Sequence, residues 1–185
     1  MNRRIVVGIT GASGAAIGVR VIELLNKAAD CEVHLVVSGS GERTLIHEVG
    51  ADASRRLDQL VRQRYAVDDV GAAIASGSFR TDGMIIAPSS IHTLSAVASS
   101  AADNLVVRAA DVHLKERRRL VLLVRETPLH LGHLRAMATA TEHGAIIVPP
   151  VPAFYLHPTT VADIVDQIAR RAISLLDVSL SISAT

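Results

Sequence analysis

Short apolar runs recur along the chain, and each is closed by small polar or proline-rich residues. Ile5-Val6-Val7-Gly8-Ile9 runs into Thr10-Gly11-Ala12-Ser13-Gly14, and Glu32–Val37 into Ser38-Gly39-Ser40-Gly41. Gly83–Ala87 is followed by Pro88–Thr93, Arg119–Val124 by Arg125-Glu126-Thr127-Pro128, and Ala145–Val148 by Pro149-Pro150. Near-continuous apolar strands of this length, buried on both faces, belong to parallel sheets. Helical stretches lie between them: Ala15–Leu25, Glu42–Val49, Ala53–Tyr65, Asn104–Lys115 and His130–His143, the last stopped by Gly144. A final helix capped near Thr160 runs to Leu176. Residues 66–80 read as a loop with at most a short edge strand, and the small residues up to Ala102 carry no assigned element. Strands alternating with helices, with no repeat or linker, predict one doubly wound α/β domain over residues 1–185.

Composition narrows the function. A chain of 185 residues suits one domain with a full core. A net charge of +1 argues against a nucleic-acid footprint, and two Phe, two Tyr and no Trp supply few stacking platforms. Cys31 is the single cysteine, so no internal disulfide forms and a cytoplasmic setting is the default. No apolar run approaches a membrane span. Arg3 and Arg4 precede apolar residues as in a signal peptide, but Gly8, Gly11 and Gly14 break that run at once.

The carboxyl ends of parallel strands share one edge, where ligands of open α/β sheets bind. The first loop is a strand, a glycine turn and a helix, which aims backbone N–H groups at an anion; Gly11 and Gly14 allow close approach and Ser13 adds a hydroxyl. The order G-A-S-G-A-A-I-G is neither the dinucleotide fingerprint nor a P-loop. The same residues also make a plain strand-to-helix turn with a serine cap, and the loop alone does not choose between the two. Ser38, Ser90 and Thr93 follow other strands, with the same double reading. Arg125 offers a planar fork for a phosphate or carbonyl edge, or a solvated pair with Glu126. His92, His130, His133 and His143 lack the carboxylate or cysteine spacing of a zinc site, so no metal is expected. Lys115 opens the run Lys-Glu-Arg-Arg-Arg, one of two lysines beside seventeen arginines; the run also reads as cations against a helix dipole.

Taken together these segments resemble a known family. Thr10–Gly14, Pro88–Leu94, Arg108–Val112, Leu114–Arg118, Arg125–His130 and Pro152-Ala153-Phe154-Tyr155 stand in the order and spacing of the UbiX/Pad-type flavin prenyltransferases, formerly labelled aromatic acid decarboxylases. The resemblance runs from Ile5 to about Leu176. It implies a Rossmann-like flavoprotein, a three-layer sandwich, that joins the dimethylallyl group of dimethylallyl monophosphate to N5 and C6 of reduced FMN without a metal. It implies delivery of prenylated FMN to a UbiD-type decarboxylase, and a dodecamer with the site between subunits.

Carried over by position, Gly11, Ala12, Ser13, Ser38, Ser90, Ile91, His92, Thr93 and Arg125 would hold FMN. Tyr155 and Arg171 would grip the prenyl phosphate, with Arg108, Lys115 and Glu126 around it. Glu48 would approach from a neighbouring subunit and act, with Ser13, near the flavin. His92 departs from the lysine or glycine common in the family, and the chain is short after its last helix. Two rivals are a flavin-dependent decarboxylase of phosphopantothenoylcysteine, whose Pro-Ala-Met-Asn stretch is absent, and a non-catalytic flavin carrier.

Overall fold

The computed structural model describes residues 2–177. In chain order the elements are β1 (Arg3–Ile9), α1 (Ala15–Asn26), β2 (Cys31–Val37), α2 (Gly39–Glu48), α3 (Ala53–Asp58), β3 (Gln63–Tyr65) and β4 (Gly83–Ser89). There follow α4 (Ile91–Ala98), α5 (Leu105–Lys115), β5 (Leu120–Val124), α6 (Leu131–Glu142), β6 (Ile146–Ile147) and α7 (Val161–Ser174). All six strands are parallel, in the order β3-β2-β1-β4-β5-β6. The segment 178–185, which carries the shortened end noted in the sequence, lies outside the described residues.

Alternation along the strands builds three layers. Ile5, Val7 and Ile9 of β1 pack with Val33, Leu35 and Val37 of β2 against α1, α3 and α7. Val6, Met84, Ile86, Leu120 and Leu122 face the other way, onto α4, α5 and α6. On the first face α1 and α7 are tied by Arg20, which donates to Asp166 at 2.7 Å, while Asp166 also accepts from Arg170. Close approach fixes two glycines: a Cβ on Gly18 would run into the Ala87 carbonyl, and one on Gly11 into Ser40.

Five strands and most helices fall where the apolar runs place them. The structure corrects three readings. Ser38-Gly39-Ser40-Gly41 is the first turn of α2, not a loop, because the Ser38 hydroxyl accepts the Gly41 N–H at 3.0 Å as an N-cap. The helix expected over Ala53–Tyr65 stops at Asp58, and Gln63–Tyr65 becomes the edge strand β3. There the Tyr65 ring stacks on His34 with its hydroxyl 2.9 Å from Nδ1, and Arg64 binds Asp58 at 2.8 Å and also Glu42. Finally, Ile91–Ala98 is a helix, capped by Ser90.

Candidate functional site

The chain leaves β1 one way to β2 and β3, then crosses back to β4, so β1 and β4 flank the point where strand order reverses. A crevice outside the carboxyl ends of those strands is where such sheets bind ligands. Thr10 closes its floor. Its hydroxyl donates to the Pro88 carbonyl at 2.9 Å and accepts the Ser90 N–H at 2.8 Å, and it is 1% exposed. No role was expected of Thr10, although a hydroxyl directly after a central strand is a readable signal.

Three helix N-termini open at this edge. Gly14, at φ 111°, caps α1 in the left-handed region that favours glycine. Ser38 caps α2. Ser90 caps α4, its hydroxyl accepting the Thr93 N–H at 3.3 Å and lying 3.1 Å from the Thr93 hydroxyl. The capping role read as the alternative for Ser38 and Ser90 is thus real, yet each hydroxyl keeps a proton to donate. Ala12 and Thr93 are buried, Ile91 is half-buried, and His92 is exposed on the first turn of α4. Gly11 packs on the first turn of α2, which joins the loops after β1 and β2.

Glu48, at the end of α2, reaches the same loop from its own chain. Its Oε2 accepts the N–H groups of Gly14 and Ala15, each at 2.9 Å, and the Ser13 side chain lies close enough to the carboxyl to favour its charged form. Desolvation pushes this carboxyl upward, but the bonds from Ser13, Gly14 and Ala15, with the charge of Arg125, outweigh it and hold the group below the ordinary carboxylate range. The expectation that Glu48 enters from a neighbour is therefore corrected, because α2 ends beside the start of α1. Arg125 follows β5, its N–H on the Ser89 carbonyl at 3.2 Å, and is exposed. Glu126 is exposed beside it and accepts its own neighbour's Thr127 N–H at 2.9 Å.

Tyr155 and Arg171 meet at a cavity of about 220 Å³ between the loop after β6 and α7. Val148, Val151, Leu156 and Ile168 give it apolar walls. Asp166 occupies both Arg20 and Arg170, whereas Arg171 has no carboxylate partner among the described residues. Tyr155 is 79% exposed in the single chain.

Two expected members do not join this group within one chain. Lys115 ends α5, just before β5 begins, and so stands at the opposite edge of the sheet, paired with Glu116 at 2.7 Å. A strand of the length of β1 spans roughly 23 Å, which separates it from Gly11. Arg108 lies on α5, across the sheet from α7, and binds Asp111 at 3.0 Å. Within one chain Lys115 and Arg108 belong to the α5 side of the sheet and Arg171 to the α7 side.

A switch-point crevice ringed by hydroxyls and helix N-termini defines a nucleotide- or flavin-binding α/β protein, and the family model described as Flavoprotein matches residues 1–173. The flavin prenyltransferase UbiX of Thauera aromatica is 53% identical over 179 residues, covering 97% of this chain and 91% of that protein. The crystal structure of AnUbiX in complex with FMN and dimethylallyl pyrophosphate superposes with a TM-score of 0.92 at 45% identity, covering 97% and 94% of the two chains. A dodecameric FMN-dependent UbiX-like decarboxylase from Escherichia coli O157:H7 gives a TM-score of 0.92 at 41% identity, covering 98% of each. The chain belongs to the UbiX flavin prenyltransferase family. Among the described residues no helix is long and apolar enough to cross a membrane, and no group of three or more His, Cys, Asp or Glu gathers as for a metal ion.

Proposed function

We propose that this protein joins the dimethylallyl group of dimethylallyl monophosphate to N5 and C6 of reduced FMN, and that prenylated FMN passes to a UbiD-type decarboxylase. The observation that carries the reading is the pairing of two sites along one chain. A hydroxyl-rich crevice at the β1/β4 switch point suits a flavin phosphate and ring, and the cavity of Tyr155 and Arg171 suits a small allylic phosphate. Its volume of about 220 Å³ lies below the ~300 Å³ where drug-sized pockets begin.

FMN fits the residues present. Glu48 already fills the first N–H groups of α1, so the flavin phosphate falls to the N-termini of α2 and α4, with Ser38, Ser90 and Thr93. Gly11, Ala12, Ile91, His92 and Arg125 line the rest of the flavin site in this reading. When bound and reduced, the flavin supplies the nucleophile. The protein supplies position and charge. Breaking the allylic C–O bond leaves negative charge on phosphate, which Arg171 and Tyr155 stabilise without a metal. Glu48 is held in its charged form beside Ser13, so in this reading it is the base that takes a proton released at this edge.

Arg108, Lys115 and Glu126 complete the phosphate surroundings from neighbouring copies in a homo-oligomer, which we take to be a dodecamer. Phe154 at 72% exposure, with Val151 and Val161 nearby, gives the apolar surface such an assembly buries. We read residues 1–185 as one flavoprotein domain working in the cytoplasm.

The test is mass spectrometry of the flavin released after anaerobic incubation with reduced FMN and either dimethylallyl monophosphate or diphosphate. A flavin heavier by one five-carbon unit is expected. Unmodified FMN with both donors overturns the reading in favour of a decarboxylase or carrier, and failure to bind FMN removes the flavin site itself.

A further inference from the structure

Gln167 lies one helical turn before Arg171 on α7 and lines the same cavity as Arg171 and Tyr155. It also lines the larger cavity of about 810 Å³ between α1 and α7, so its amide forms the wall between the two. Its Oε1 atom is buried and has no hydrogen-bond partner among the described residues. An unsatisfied buried amide group costs about 1–3 kcal/mol, and such groups are kept where a partner arrives.

The neighbours do not provide that partner. Asp166 is committed to Arg20 and Arg170, and Asp163 to the cap of α7, where it accepts from Thr159 and Thr160. What remains at the cavity is Arg171, Tyr155 and apolar wall. The amide NH2 likewise makes no hydrogen bond among the described residues, yet it is not sealed off as Oε1 is, so the donor end of the side chain is the accessible one. The side chain therefore presents a neutral donor, beside a cation and a phenol, to whatever anion enters.

We infer that Gln167 is a further positioning residue of the donor cavity, its Nε2–H group bonding a phosphate oxygen of the allylic donor beside Arg171 and Tyr155. This rests on the reading that the cavity takes an allylic phosphate. Arg171 supplies charge, and Gln167 supplies direction, fixing how deeply the phosphate sits and so where the five-carbon chain begins. The contact is made in the ground state and kept in the transition state, so its loss acts on binding more than on turnover.

The experiment compares the full-length, FMN-loaded wild type with Gln167→Leu and Gln167→Glu. Calorimetry with oxidised FMN reads dimethylallyl monophosphate binding without turnover. Steady-state assays give KM and kcat, and FMN affinity and assembly mass serve as structural readouts. In Gln167→Leu the donor Kd and KM rise about tenfold while kcat stays within about twofold. Gln167→Glu, which sets an anion against phosphate, loses more. FMN affinity and assembly mass do not move in either.

An unchanged donor Kd in Gln167→Leu overturns the inference. So does a Kd change that travels with a loss of FMN affinity or of assembly, since the amide's partner is then structural. A wild type that binds donor but makes no prenylated flavin defeats the proposed activity, while the Kd comparison still decides Gln167. A wild type that binds no donor defeats both.

Discussion

The Oε2 atom of Glu48 accepts the backbone N–H of Gly14 at 2.9 Å, so a carboxylate thirty-four residues away in sequence caps helix α1. This bond, with those from Ala15 and the neighbouring Ser13 and Arg125, favours the charged form of the group against its desolvation. Glu48→Gln keeps the shape and removes the base. FMN binding should persist, while the rate of adduct formation falls by about 10²-fold or more, the range general base catalysis supplies. Single-turnover mass spectrometry of the flavin measures this, and full turnover in the variant removes Glu48 from the mechanism. The same carboxyl affects stability with a definite sign. Its folded pKa is depressed, so its contribution is present above the unfolded value near 4.5 and is lost as pH falls through the folded one. Acid denaturation of Glu48→Gln should accordingly be less steep below that point.

Arg171 lines the cavity of Tyr155 and has no carboxylate partner among the described residues. Arg171→Ala should raise KM for dimethylallyl monophosphate by about 10–100-fold, the worth of one charge-assisted hydrogen bond. FMN affinity should stay at the wild-type value because the flavin crevice lies on other elements. Unchanged kinetics at limiting donor excludes Arg171 from the site.

Gly18 sits where α1 crosses β4, and a methyl there meets the Ala87 carbonyl. Gly18→Ala should push α1 off the sheet and destabilise the fold by about 1–3 kcal/mol, the usual cost of overpacking. The displacement carries the loop Gly11–Gly14 with it, so FMN affinity should fall together with the denaturation midpoint. A variant with wild-type stability would mean that the helix shifts without cost.

His113 is fully buried, with Nδ1 2.7 Å from the Ala109 carbonyl and Nε2 2.9 Å from the Thr81 hydroxyl. Desolvation is the main cause that lowers its pKa from 6.5 to about 4, with Arg118 adding to it. A lowered histidine contributes its stability in full above pH 6.5 and loses it as pH falls toward 4, at most about 3 kcal/mol. Urea midpoints measured across that interval should drop in the wild type, and the drop should shrink in His113→Gln. His34, also lowered chiefly by burial, accounts for part of what remains.

Periodicity made the central sheet legible. β1, β4 and β5 carry apolar residues on both faces, and β2 is buried from Val33 to Val37 with His34 its one polar residue there, the pattern of interior parallel strands between helices. β3 was not legible because it is an edge strand of Gln63, Arg64 and Tyr65, made by pairing and by the Tyr65–His34 stack, not by its own apolarity. α4 was hidden for a related reason: Ser and Ala residues give helical period little contrast, and the Ser90 cap reads equally as a loop. At the site, the hydroxyl turns share one edge because parallel strand ends must, and Tyr155 and Arg171 line one cavity. The positions of Glu48 and Lys115 depend on where α2 and α5 end in space, which motif spacing does not encode. Gln167 was overlooked because only its unsatisfied oxygen and the cavity beside it make it distinctive.

The hydroxyl of Thr10 works as a gauge. It fastens the Pro88 carbonyl and the Ser90 N–H where the two halves of the sheet part company, so the mouth between β1 and β4 has its width before anything enters. A planar ring system is accepted or refused by a bond it never touches. A residue at the rim, such as the exposed His92, can therefore change while the aperture itself stays calibrated from beneath.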